Sequence, residues 1–280
     1  THSDPRVADD WSEERMVARR KSRQTDFVLL FTAVLAASSG AVLVRLAHGL
    51  PALTVAFWRT AFAAVALLPS WNALGRRDGR LASLAGLALA CHFWAWMASL
   101  QRTTVLRSTT FVSLSPIWAG LIGCMTGQDV PPGHFWLGVF MALAGLGYGS
   151  GHGPAAGSVL GDFLALLGGV FCAVYLSIGR EVRQRVSIGC YGAHICGSCA
   201  VWLALIAPAS GTPLWPTCGR QWLSVSALAI GPQLIGHIGF NYALLFLPAP
   251  TVAAAGLTEP VGASLLAALL LGEVPSARQI

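Results

Sequence analysis

Glu259 is the residue with the clearest potential for chemistry, because it is an acid followed by Pro260 inside the apolar run 250–271. If the run crosses a membrane as a helix, Glu259 lies about 13 Å deep, near the middle of the hydrocarbon. Inserting an acid there costs about 3 kcal/mol, so we expect Glu259 to face the protein interior. Such a carboxylate is a candidate for binding a proton or a polar substrate. The alternative is a structural acid that is neutral or paired within a helix bundle.

Pro260 and Pro116 both lie inside apolar runs. A proline has no backbone N–H, so Pro260 opens the helical hydrogen bonds near Gly256. A carbonyl freed in this way is able to bind a polar substrate if it faces a cavity. A kink with no direct role is the alternative for both prolines.

Gln233, His237 and Asn241 follow one another at intervals of four residues in the apolar run 222–246. On an α-helix this spacing places them on one face, which predicts the polar wall of a cavity. The alternative is that the three side chains hydrogen-bond between helices and hold the bundle together.

His92 and Trp96 are also four residues apart, in the run 81–100. Aromatic rings beside a cavity can stack on a flat substrate, but they are equally common in a core or at a membrane interface. Ser38 and Ser39 in the first run are candidates for further polar contacts with a substrate. Arg59 lies well inside the second run, where it either extends towards the surface or pairs with an interior acid such as Glu259.

The sequence shows no convincing motif for metal binding or for catalysis. His92, His194 and His237 lie in three different runs without metal-binding spacing, so we expect no metal site. No run contains a convincing nucleophile, so we expect neither an enzyme nor a cofactor. The basic residues form no patch with interleaved aromatics, and we expect no nucleic-acid partner.

The amino-acid composition indicates which structural elements position these residues. The chain is 55% hydrophobic and 11% charged, whereas a soluble domain is about 25% charged. We therefore predict an all-α, multi-pass membrane protein with lipid around it. Nine apolar runs have spanning length, at residues 27–46, 52–71, 81–100, 104–125, 134–150, 159–179, 188–208, 222–246 and 250–271.

Basic residues orient these runs. If the polar tail 1–25 is cytoplasmic, twelve basic residues lie on the cytoplasmic side and five on the other. This bias predicts a cytoplasmic N-terminus, with the protein in the plasma (inner) membrane.

The sequence also repeats. SPIWAGLIGCMTGQDVP, residues 115–131, matches EPVGASLLAALLLGEVP, residues 259–275, at a constant offset of 144 residues. His92 matches His237 at an offset of 145. We predict a tail at 1–25, a first repeat of five helices at 26–150 and a second repeat at 151–280. Because five is odd, the second repeat is inverted, an arrangement typical of secondary transporters. The second repeat is expected to lack its last helix, the tenth of the complete arrangement.

Three stretches carry a family resemblance. They are FWRTAFAAVALLP at 57–69, HFWAWMASLQRTTVLRSTTFVSLSPIWAGLI at 92–122 and PQLIGHIGFNYALLFLPAPTVAAAGLTEPVGASLLAALLLGEVP at 232–275. Together they resemble the drug/metabolite transporter superfamily, and within it the EamA-like permeases of ten helices. Ser115 departs from this pattern, because it precedes Pro116 where the second repeat has an acid, Glu259, before Pro260.

The resemblance implies a permease that works by alternating access through a cavity between its halves. It also implies that Arg59 belongs to a structural ion pair. We expect a secondary transporter of a small polar metabolite, an amino acid or a related compound, with export as its direction and protons as a candidate coupling ion. We expect the cavity between the third, fourth, eighth and ninth runs. The alternative is a membrane scaffold or receptor that transports nothing.

Overall fold

The computed structural model describes residues 23–151 and 158–273, and this part of the chain contains helices and no β-strand. Eight helical segments are long and apolar enough to cross a membrane: Phe27–Leu46, Ala52–Ser70, Arg76–Leu100, Val105–Thr126, Val159–Arg183, Ile188–Ala209, Gly219–Ala243 and Ala249–Leu271. The fifth predicted run forms the helix Gly133–Gly151, whose apolar part Gly133–Gly145 is shorter. We number these nine segments span 1 to span 9 in chain order, Gly133–Gly151 being span 5. Most of the polar tail 1–25 lies outside the described residues.

The distribution of side chains is that of a membrane protein. Large apolar side chains such as Met125 and Leu269 are 86% and 80% exposed. Arg59, Gln233 and Asn241, by contrast, are buried among the helices. The hydrocarbon of a lipid bilayer accommodates such an apolar exterior, because apolar side chains need no hydrogen bonds and the hydrocarbon offers none. The prediction of an all-α, multi-pass membrane protein is confirmed.

Spans 4 and 9 are interrupted at equivalent positions. Span 4 consists of the helices Val105–Val112 and Ser115–Thr126. Span 9 consists of Ala249–Ala255, a 3₁₀ turn at Gly256–Thr258 and Glu259–Leu271. Both second halves carry their proline in the first turn, where its missing N–H costs least.

The same two spans also end alike. Gly127 and Gly272 terminate them with φ angles of 69° and 70°. Only glycine adopts this left-handed conformation without strain, and it satisfies the last helical carbonyls. The repeat detected in the sequence is therefore also a repeat of backbone structure, from the proline break to the C-terminal cap.

Glycines on span 6 allow it to pack closely against the first repeat. A Cβ at Gly169 would lie 2.8 Å from the carbonyl oxygen of Val112, the carbonyl that Pro116 leaves without its helical partner. A Cβ at Gly168 would lie 3.3 Å from the backbone of Trp96 on span 3. Gly169 thus brings span 6 against the break of span 4, and Gly168 brings it against span 3.

Span 8 changes its helical geometry in the middle. It starts as the α-helix Gly219–Leu228, continues as a π-helix at Ala229–His237 that contains Pro232, and ends as the α-helix Ile238–Ala243. In a π-helix the hydrogen bonds run from residue i to i+5, and such segments occur mostly as short bulges within α-helices.

Two ion pairs are related by the repeat. Arg180 Nε on span 6 donates to Asp129 Oδ2 after span 4 at 2.9 Å. Arg45 Nη2 on span 1 lies 3.4 Å from Glu273 Oε1 after span 9. Asp129 and Glu273 are the acids of the two matching acid-Val-Pro motifs. Each acid is therefore paired with an arginine of the other repeat.

Further contacts place these pairs at opposite ends of the bundle. Arg180 Nη1 donates to the carbonyl of Leu244, at the end of span 8, at 2.6 Å. Arg45 Nη2 donates to the carbonyl of Thr103, just after span 3, at 2.6 Å. Span 3 begins near the first pair, because Arg77 in its first turn is paired with Glu181 of span 6 at 2.6 Å.

Candidate functional site

The breaks of spans 4 and 9 meet inside the bundle. Ser113, in the break of span 4, donates its hydroxyl to the carbonyl oxygen of Gly256 at 3.4 Å. This is the carbonyl expected to be released by Pro260, four residues further on. The carbonyl is not left free, because it also accepts from the backbone N–H of Glu259 in the 3₁₀ turn. The contact with Ser113 joins the two interrupted spans.

Glu259 starts the second half of span 9 and is partly buried. Its carboxylate lines a cavity of about 40 Å³ between the repeats. Among the described residues, no hydrogen bond or ion pair to its side chain is found. A cavity of this size holds about three water molecules. Glu259 is therefore an acid inside the bundle without a protein partner in this conformation.

Arg59 lines the same cavity from span 2 and is 1% exposed. Its Nε donates to Gln233 Oε1 at 2.8 Å, and its guanidinium carbon lies 4.0 Å from the centre of the Phe93 ring. The two terminal nitrogens, Nη1 and Nη2, are buried without any hydrogen-bond partner in the described part of the chain. The ion pair considered between Arg59 and Glu259 is therefore not formed.

His92 and His237 face each other across the cavity, with ring centres 5.8 Å apart. His92 Nδ1 lies 2.8 Å from the carbonyl oxygen of Gly168. Because a carbonyl only accepts, this contact requires the hydrogen on Nδ1 and leaves Nε2 of the neutral ring as an acceptor. His237 Nδ1 lies 3.0 Å from the hydroxyl of Tyr175. Span 6 thus orients both histidines.

Trp96 is a further wall of the cavity. Its ring is parallel to that of His92, with centres 6.2 Å apart. Its indole Nε1–H is buried without a partner among the described residues. Gly40 on span 1 permits this packing, since a Cβ there would lie 3.2 Å from the Trp96 ring.

Several residues predicted for the site lie elsewhere. Gln233 supports Arg59 from behind and does not line the cavity. Gln233 and His237 both lie in the π-helical segment, but Gln233 bonds to Arg59 and His237 contacts Tyr175, whereas the sequence spacing suggested one polar wall. The Asn241 side chain bonds back to the carbonyl of His237 at 2.8 Å. The Ser39 hydroxyl bonds to the carbonyl of Ala36 at 2.7 Å in the break of span 1.

Pro116 and Pro260 lie at the span breaks rather than in the cavity wall. The cavity has contributions from spans 1, 2, 3, 4, 6, 8 and 9. Ser113, Cys172 and Tyr175 complete the site and were not predicted. In residues 23–151 and 158–273 no group of three His, Cys, Asp or Glu side chains is placed to hold a metal ion.

An inverted bundle of two repeats, with a polar cavity where broken spans meet, defines the class of membrane transporters built from duplicated helices. The chain belongs to the EamA-like transporter family, whose sequence model matches residues 24–148 and 159–280. The resemblance noted from the motifs is thereby confirmed, and the two matches correspond to the two repeats.

Solved structures support the same fold. One crystal structure matches with a TM-score of 0.73 over 92% of this chain and 92% of its own, at 22% sequence identity. At that identity the likeness shows the fold alone. The comparison with curated protein sequences gave no match.

Proposed function

We propose that this membrane transporter is a secondary transporter that moves a small polar metabolite, an amino acid or a related compound, by alternating access. The observation that carries the proposal is the cavity between the repeats, where Arg59 and Glu259 both lie without forming an ion pair. A charged group at this depth costs about 3 kcal/mol. A scaffold has no need to maintain such groups unpaired, whereas a binding site requires them free.

Glu259 is proposed as the residue that couples substrate movement to protons. It is the one acid in the cavity wall, and Arg59, His92, His237 and Cys172 are the other titratable groups that line it. A carboxyl without a fixed partner can take up a proton on one side of the membrane and release it on the other. One proton moving down a potential of 100 mV supplies about 2.3 kcal/mol.

The two ion pairs related by the repeat support alternating access. Asp129–Arg180 closes one end of the interface between repeats, and Arg45–Glu273 closes the other. Because the pairs lie at opposite ends, breaking one and keeping the other would open the cavity to one side of the membrane at a time. The cavity of about 40 Å³ is too small for a metabolite larger than a few waters. Substrate entry therefore requires one end to open.

The direction and location of transport complete the proposal. Arg76, Arg77, Arg180, Arg183 and Arg185 cluster at the end of the bundle near Asp129. By the positive-inside rule this end faces the cytoplasm, with the protein in the plasma (inner) membrane and its N-terminus inside. Export is proposed because the resemblance to the family suggests it.

The test is flux through the purified protein in liposomes. Labelled amino acids, sugars and nucleosides are offered with and without an imposed pH gradient, and Glu259→Gln is compared with the wild type. We expect flux of at least one polar compound that the gradient accelerates and that Glu259→Gln reduces at least tenfold. Flux that is unchanged in Glu259→Gln would show that Glu259 does not couple transport to protons. The absence of any flux from folded protein would favour the alternative of a scaffold or receptor.

A further inference from the structure

We propose that Arg59 is the binding site for a carboxylate group of the substrate. This inference names the substrate class for the site proposed above and rests on that proposed function. It changes the expectation for Arg59, which the sequence suggested to be part of a structural ion pair.

The first step is the count of unused hydrogen-bond donors. Arg59 Nη1, Arg59 Nη2 and Trp96 Nε1 are all buried without a partner among the described residues. Both side chains line the same cavity. Buried polar groups in folded proteins nearly always have a partner, so a cavity with three unused donors is prepared for a ligand that accepts.

The second step is the orientation of the guanidinium. Gln233 occupies Nε at 2.8 Å, and the Phe93 ring covers one face at 4.0 Å. The end that carries Nη1 and Nη2 is thereby fixed and has no hydrogen-bond partner among the described residues. Two parallel N–H groups on a planar fork match the two oxygens of a carboxylate.

The third step is charge. The guanidinium is 1% exposed, and the one acid of the cavity wall, Glu259, forms no ion pair with it. A buried cation without a counter-ion is unfavourable, so a substrate anion would gain from replacing the missing partner. The Glu259 side chain in the same cavity disfavours a doubly charged group such as a phosphate monoester. The chemistry therefore favours a single carboxylate, as in an amino acid.

Ligand-induced stabilisation of the purified full chain in detergent tests this inference. The probes are alanine, leucine, phenylalanine and succinate, each compared with its carboxamide, together with glycerol 3-phosphate and glucose. The variants are Arg59→Met and Arg59→Lys. Arg77→Met is the matched control, because it removes an arginine whose side chain is 76% exposed and paired with Glu181.

We expect at least one carboxylate to raise the melting temperature of the wild type and its amide to have no effect. Arg59→Met should lower the affinity for that carboxylate at least 30-fold. Its melting temperature without ligand should equal or exceed that of the wild type, because the variant removes an uncompensated charge. Arg77→Met should bind as the wild type does.

Arg59→Lys decides the question if Arg59→Met fails to fold. A lysine keeps the charge but has no planar fork, so carboxylate affinity should fall about tenfold. Unchanged carboxylate affinity in either variant would overturn the inference, as would equal binding of acid and amide or a preference for glycerol 3-phosphate. Transport of an uncharged compound by Arg59→Met would support the proposed transport function and overturn the assignment of Arg59 as a carboxylate site. Binding of a carboxylate through Arg59 without any flux would support that assignment and contradict the transport function.

Discussion

His92 and His237 occupy equivalent places in the two repeats, and their rings meet 5.8 Å apart in the centre of the bundle. Equivalent residues of the two repeats therefore line the same cavity. Each histidine is held by span 6, one through a backbone carbonyl and one through Tyr175. A movement of span 6 against the first repeat would reorient both rings together, which places the second repeat's first helix at the centre of the proposed cycle.

Tyr175→Phe tests this orientation of His237. The change removes the hydroxyl that lies 3.0 Å from His237 Nδ1 and preserves the ring. We expect a loss of about 1 kcal/mol in stability and a several-fold fall in transport. Tyr191→Phe is the matched control, because the Tyr191 hydroxyl is buried and has no hydrogen-bond partner in the described chain. The control should keep its activity and its melting temperature. Equal effects of the two changes would contradict a specific role for Tyr175.

Pro260→Ala should stiffen span 9. The alanine N–H can bond to the carbonyl of Gly256, which now accepts from Ser113 at 3.4 Å and from the N–H of Glu259 in the 3₁₀ turn. We expect about 1 kcal/mol of added stability, since one helical hydrogen bond is restored, and slower transport because the break between the repeats is lost. Flux assays and thermal unfolding measure the two effects.

Pro250→Ala is the control for that change. Pro250, like Pro260, lies in the first turn of a helix, but it begins span 9, so no earlier turn of the same span lacks its N–H. It should change neither stability nor flux. Transport by Pro260→Ala at the wild-type rate would show that the interruption of span 9 is a passive kink.

Gly169→Ala should damage the fold at the contact between spans 4 and 6. Its Cβ would lie 2.8 Å from the carbonyl oxygen of Val112, and backbone has little freedom to move away. We expect a loss of about 1–3 kcal/mol, typical of overpacking. Gly138→Ala is the control, because no atom lies within 4 Å of a Cβ at that position. Thermal unfolding of the two variants should differ, and a Gly169→Ala protein as stable as the wild type would contradict the packing described.

The ion pairs at the two ends predict opposite effects on access to the cavity. Cys172 lines the cavity and reports access when a membrane-impermeant thiol reagent is added to one side of oriented vesicles. Asp129→Asn should accelerate labelling of Cys172 from the Asp129 end, and Glu273→Gln from the other end. Loss of about 1 kcal/mol corresponds to a change of about fivefold in the open population.

Mass spectrometry of the Cys172 peptide separates this thiol from the exposed Cys124 and Cys218. Glu181→Gln serves as a second variant at the Asp129 end, since Glu181 pairs there with Arg77 of the other repeat, and it should accelerate labelling from the same side as Asp129→Asn. Acceleration from the same side by Asp129→Asn and Glu273→Gln would contradict their role as alternating closures.

Much of the fold follows from the sequence because it depends on composition and spacing. Apolar runs of spanning length predict helices, and the offset of 144 residues predicts that spans 4 and 9 are equivalent. The structure extends that equivalence to the breaks at Pro116 and Pro260 and to the caps at Gly127 and Gly272. Local sequence determines these breaks and caps, so they can be predicted from the sequence.

The site is less predictable, since its geometry depends on tertiary packing. An α-helical spacing places Gln233 and Asn241 beside His237, but Gln233 bonds to Arg59 and Asn241 bonds back to the carbonyl of His237. The sequence offered an ion pair between Arg59 and Glu259 as one alternative, and no spacing rule reveals that the two lie in one cavity without forming it. Tyr175 and Ser113 enter the site through contacts between repeats, which are distant in the sequence.

The measurement that tests the central claim most directly is protection of Glu259 by the transported compound. A hydrophobic carbodiimide modifies carboxyl groups within the membrane, and mass spectrometry quantifies labelling at Glu259, with Asp129 and Glu273 at the ends of the bundle as internal references. We predict that the compound carried in the flux assay slows labelling of Glu259 at least several-fold and leaves both references unchanged. Labelling of Glu259 at the same rate with and without that compound would contradict the assignment of this cavity as the substrate site.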